Sequence, residues 1–231
     1  MPKKITAMLW MILMLSMANA QADALAAIQK IYNAYNTNNA VRFTGNIKMF
    51  ARDQPAKLIE RMQCRYILQH KKFVCKIGPI EMLLNDSYYV SVDNSDKILI
   101  VGRKKDLSAF AGAAVLHLEQ LKSLVTGNKI KAIVSVKGST GILQLIDSAC
   151  SSGFGRYSIE YSTQSGCMKK VLLETAGNEP AKIMVLEINY SAPEIISANQ
   201  ETFSEKAFFT IVNNKILLSD GYKNYQLVNQ L

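Results

Sequence analysis

Four cysteines, two histidines and a scatter of carboxylates are what this 231-residue chain offers for chemistry. His70 and His117 are too few for a histidine-based metal triad, and neither lies at zinc-ligand spacing from Cys64, Cys75, Cys150 or Cys167. No C-x-x-C, G-x-S-x-G, phosphate-loop or H-E-x-x-H spacing occurs. His117 falls on the flank of an apolar helical stripe, and His70 sits beside two lysines at a hairpin tip. Gly153-Phe154-Gly155 reads as a turn or bulge rather than a phosphate cradle. Asp93 and Asp96 share one turn; turn chemistry accounts for them, with loose cation binding as the alternative. No general acid–base pair is visible. The expectation is a non-catalytic protein with no metal and no cofactor.

The cysteines leave a structural question. Leu58, Met62, Cys64, Tyr66 and Leu68 alternate with polar residues, as do Phe73, Cys75 and Ile77, so these two runs read as strands of one hairpin. A turn at residues 69–70 pairs Met62 with Ile77, Cys64 with Cys75 and Tyr66 with Phe73. Direct opposition brings Cα atoms to about 4.5 Å, within disulfide reach. Cys64 and Cys75 are therefore a disulfide candidate; the alternative is two buried thiols acting as small hydrophobes.

What remains is apolar and aromatic. A helix is predicted over 22–36, with Leu25, Ile28, Tyr32 and Tyr35 on one face. The period then switches to alternation. Val41, Phe43, Ile47 and Met49 mark a strand, the hairpin follows, and a meander continues through 80–85, 87–93 and 97–102. A second helix is predicted over 106–125, capped by Asp106. Strands resume at 130–136, 142–147, 155–162, 167–175, 182–190 and 207–218, and 191–206 looks irregular. The fold class is α+β and mainly β: a curved antiparallel sheet of about 10–11 strands, an incomplete barrel closed by helices. Such a sheet has more concave surface than a 20-residue helix can cover. The surplus predicts a ligand cavity lined by Phe43, Ile47, Met49, Met62, Tyr66, Phe73, Ile77 and Tyr88.

Residues 1–20 have the three-part layout of a secretory signal: Lys3-Lys4, an apolar run from Ala7 to Met17, then Ala18-Asn19-Ala20. That run is shorter than the roughly 20 residues a membrane span needs. Cleavage after Ala20 would leave one mature domain, 21–231, and lower the formal charge from +9 to +7 by removing Lys3 and Lys4. An exported basic protein is expected to meet no nucleic acid; peripheral contact with an anionic membrane is the more plausible use of its charge.

The order of elements, with its F-x-G-x-I strand at Phe43–Ile47 and the segment MLLNDSYYVSVDNSDKILIV at 82–101, resembles the periplasmic lipoprotein-carrier superfamily (LolA, LolB and RseB-like proteins). Phe73 fits that family's aromatic after the hairpin turn, while Gln69-His70 stand where the carrier has Arg-Pro. The resemblance implies a periplasmic carrier or chaperone that binds acyl chains of lipid or lipoprotein in a hydrophobic cavity. The alternative it leaves open is an envelope interaction or sensor module whose concave face recognises a protein partner.

Overall fold

The structure is a computed structural model that describes residues 21–37, 39–70, 72–104, 122, 125–127, 130–147, 154–175, 183–197, 200–213 and 215–231. The expected signal segment lies outside them. So does most of the expected second helix, of which residues 122 and 125 are described and helical.

The chain opens with α1 (21–35), followed by β1 (Ala40–Ala51), β2 (Leu58–Gln69), β3 (Lys72–Ile77), β4 (Ile80–Leu84), β5 (Tyr88–Asp93) and β6 (Ile98–Arg103). Then come β7 (Lys131–Lys137), β8 (Thr140–Ile146), β9 (Phe154–Ser162), β10 (Met168–Thr175) and β11 (Met184–Tyr190). The last strands are short: β12 (Glu194–Ile196), β13 (Phe209–Val212), β14 (Lys215–Leu218) and β15 (Gln226–Gln230). The sheet order is β15-β6-β5-β4-β3-β2-β1-β11-β10-β9-β8-β7, with β12 also pairing β1, and β13-β14 form a separate ribbon. Its ends, β15 and β7, do not meet, so the sheet is open rather than a closed barrel. The pairs from β2 to β6 and from β7 to β10 are antiparallel, and β15 runs parallel beside β6.

Two compact units divide the chain. The first comprises residues 1–34, 48–60 and 115–188. Here α1 buries Ala24, Ala27, Ile28 and Ile31, and the sheet contributes Leu143, Leu145, Tyr157, Ile159, Tyr161 and Val171 to the core. The helix face is thus rotated from the predicted one, with Leu25 and Tyr32 only half-buried. Small alanines let the helix approach closely, and the loop before β10 shows how closely. A Cβ on Gly166, whose φ is +77°, would come within 2.5 Å of the Lys30 carbonyl oxygen. The opposite face of β8–β10 mixes Ile142 and Leu172 with charged residues, and Glu174 lies there between Arg52 (3.5 Å) and Arg156 (3.7 Å).

The second unit comprises residues 35–47, 61–114 and 189–231. One face of its strands carries Ile67, Val74, Leu83, Val90 and Val101, which are successive cross-strand neighbours. The C-terminal segment covers this face with Phe203, Phe208, Phe209, Tyr222 and Leu227. Asn85 pins that cover. Its Oδ1 accepts from the N–H groups of Ser87 (2.9 Å) and Tyr88 (2.8 Å), and its Nδ2 donates to the Phe203 carbonyl (3.2 Å) and to Glu205 (2.7 Å). Asp93 caps its own turn by accepting from the N–H groups of Ser95 and Asp96, as a turn aspartate does.

Candidate binding face

The other face of the second unit carries a row of aromatic side chains that come from the strands themselves. On β1, β2 and β3 every second side chain points to it, which brings Phe43, Tyr66, Leu68 and Phe73 to one side, all buried. The ladder extends the row. Leu68, Phe73, Leu84 and Tyr89 are successive partners, as are Tyr66, Cys75 and Met82. Phe43 stacks on Tyr66, with centroids 5.1 Å apart and rings inclined at 18°. Tyr35, from the end of α1, and Tyr190, from the end of β11, close against Phe43 at 5.2 and 5.6 Å.

Of the residues expected to line a cavity, Phe43, Ile47, Tyr66 and Phe73 are buried in this unit. Ile77 and Met62 are half-buried, with the Met62 sulfur 3.3 Å from where a Cβ on Gly78 would lie. Met49 is half-buried and belongs to the first unit. Tyr88 is on the opposite face: it follows the parity of Val90 and meets Phe209 edge-on at 5.5 Å. Its neighbour Tyr89 is the tyrosine of this strand on the aromatic face. Both are aromatic, so alternation alone cannot choose between them; the register does. Tyr35 and Tyr190 were missing from the expected lining because each sits at the end of its element.

The cysteine pairing also needs correction. Gln69 pairs with Lys72, so the hairpin turns after Gln69, where His70 adopts a left-handed φ of 52°. Moving the turn by one residue moves every cross-strand partner by two. Cys64 therefore opposes Ile77, and Cys75 opposes Tyr66. A shift of two keeps both thiols on the same face but removes their direct opposition. Both are free and buried. Burial pushes the Cys64 thiol up to about 11 and the Cys75 thiol up to about 12, partly offset by hydrogen bonding from Tyr66. Burial likewise pushes the Tyr66 phenol well above its ordinary value. At neutral pH all three are protonated, so the cluster offers apolar surface rather than a nucleophile.

No family profile matches the chain, and no curated protein matches it. Among solved structures, its fold is similar to that of an uncharacterized conserved protein from Thermus thermophilus, with 9% identity over 87% of this chain and 98% of that one and a TM-score of 0.50. A LolA superfamily protein from Nitrosomonas europaea is similar at 11% identity over 80% of this chain and 99% of that one, TM-score 0.37. The MucA/MucB complex of Pseudomonas aeruginosa is similar at 10% identity over 85% of this chain and 63% of that one, TM-score 0.37. The likeness to the Thermus thermophilus protein, at 9% identity, is one of fold.

Proposed function

We propose that the chain is an exported, non-catalytic carrier or chaperone that takes acyl chains of lipid or lipidated protein against the aromatic face of its second unit. In this reading residues 1–20 are removed after Ala20, and residues 21–231 act in the periplasm as one functional domain. The observation that carries it is the run of apolar side chains across five consecutive strands, from Phe43 through Tyr66, Phe73 and Met82 to Tyr89; all are buried, so an entering acyl chain must displace what covers them. Each buried CH₂ contributes roughly 0.8 kcal/mol. A dozen methylenes would therefore give about 10 kcal/mol before ordering costs are subtracted. Uptake then needs no chemistry, and release needs a competitor for the chain.

Mass spectrometry of lipids extracted from the protein purified out of its native envelope tests this directly, with co-purifying acyl lipid as the expected result. Met62→Glu separates ligand surface from ordinary core. A folded variant that no longer binds a fluorescent fatty acid supports the reading. A folded variant that binds as well as wild type removes Met62 from the site. Lipid-free protein that binds no fatty acid would overturn the carrier reading. Recognition of an envelope protein is the second reading, favoured by Ile211, Val212 and Leu217, which stand 42%, 48% and 51% exposed on the β13–β14 ribbon.

A further inference from the structure

The side of β1–β3 that points away from Tyr66 has a different chemistry. Gln63 and Arg65 alternate with Cys64 and Tyr66, so they project to the other side of β2. There Thr44, Asn46, Gln63, Arg65, Lys76 and Gly78 line a cleft of about 440 Å³. No carboxylate is among the lining residues. Arg65 stands directly opposite Lys76 in the β2–β3 ladder, and like charges in that position repel. Lys76 is answered by Glu81 of β4, 2.8 Å away. Arg65 has no such answer: among the described residues its guanidinium has no ion-pair or hydrogen-bond partner, and neither have the side-chain amides of Asn46 and Gln63. The cleft therefore gathers one unpaired forked cation and two free amides, beside a lysine shared with Glu81, around a space whose lining holds no carboxylate.

We propose that this cleft binds the phosphate group of an anionic ligand. Arg65 supplies its planar pair of N–H donors, Asn46 and Gln63 further N–H groups, and Lys76 those ammonium hydrogens that its bond to Glu81 leaves over. A tetrahedral phosphate has enough acceptor oxygens for all of them and screens Arg65 from Lys76. The volume exceeds that of a bare ion, which leaves room for the rest of the ligand. Being on the far side of β2 from Tyr66, the site does not depend on acyl-chain binding. The same phosphate chemistry comes either from a soluble phosphate compound or from a lipid headgroup.

Thermal unfolding of the purified chain in rising inorganic phosphate, against sodium chloride of equal ionic strength, tests the site. Wild type should show a saturable rise in Tm that chloride does not give. Arg65→Gln should weaken the response at least tenfold while keeping or raising the Tm in chloride, because the opposed charges are gone. Arg61→Gln removes an equal charge from the same side of β2 but outside the cleft, and should keep the response. Cosedimentation with phosphatidylglycerol vesicles, against phosphatidylcholine, distinguishes the sources. Vesicle binding lost in Arg65→Gln identifies a lipid headgroup, and a phosphate response without vesicle binding identifies a soluble ligand. No phosphate-specific rise together with no Arg65-dependent vesicle binding overturns the proposal. Equal losses in Arg61→Gln and Arg65→Gln also overturn it, since they would report diffuse charge rather than a site.

Discussion

Gly102 has no side chain, and the Tyr89 ring lies where one would be. A Cβ there would come within 2.3 Å of that ring. The bare backbone lets Tyr89 cross over β6, and its hydroxyl donates to Gln230 of β15. Gly102→Ala should therefore cost about 1–3 kcal/mol by forcing the ring aside. Urea unfolding measures the loss, and a Tyr89→Ala background should shrink it, since the clash needs both partners. The thiols give a second expectation at this scale. Native Cys64 and Cys75 should resist alkylation at neutral pH and react once the chain is unfolded, as read by mass spectrometry. Their folded values lie above the ordinary 9.0, so the stability they contribute is complete below about pH 9 and falls as pH rises toward about 11 and 12. The urea midpoint should drop across that window, and drop less in Cys64→Ala/Cys75→Ala. An unchanged profile in the double variant would assign the loss to other groups.

Among the elements, the C-terminal cover rests on one residue more than on any other polar group described in it. Asn85→Ala leaves the Phe203 carbonyl and the N–H groups of Ser87 and Tyr88 without their partner. A cost of about 2–3 kcal/mol is expected from unsatisfied buried groups, with faster proteolysis near residues 203–206 as the local readout. A cut pattern unchanged from wild type would mean that the aromatic packing alone holds the segment. Alternation made β1 to β6 and β7 to β11 legible, because each strand there is long enough to show its period. The end of the chain was harder. Residues 209–218 carry apolar runs at both ends, Ile211-Val212 and Ile216 to Leu218, and read as one strand, yet Asn213, with φ 51°, turns the chain back so that Val212 pairs with Lys215. The Asn-Asn pair at 213–214 was the available signal, masked by the apolar run on either side. The hairpin at His70 failed by a single residue for a related reason: apolar residues pair with apolar residues in both registers, so only the turn conformation decides.

For the whole molecule, what the sequence conveyed was the period and order of its strands, and what it could not convey was which late segment covers which early one. Strand order follows chain order from β1 to β6 and runs in reverse from β11 to β7, so most neighbours are also neighbours in sequence. The aromatic face was read in this way for Phe43, Tyr66 and Phe73, whereas Tyr88 required knowing that Phe209 would return over it. Hydrogen exchange should show the same contrast. Amides of Val90 and Leu99, on the interior strands β5 and β6, should exchange slowest. Those on the unpaired side of β7 should exchange within the first time points. Uniform protection across β7 would mean that another strand pairs there. Finally, β6 waits for its partner. Residues 98–103 leave the ribosome long before residues 226–230, and until these arrive the β6 edge presents a row of unmatched amides and carbonyls to any passing strand. A frameshift or early stop that removes β15 would thus act first as an aggregation lesion, felt in the yield of nascent chains before it is felt in the stability of finished ones.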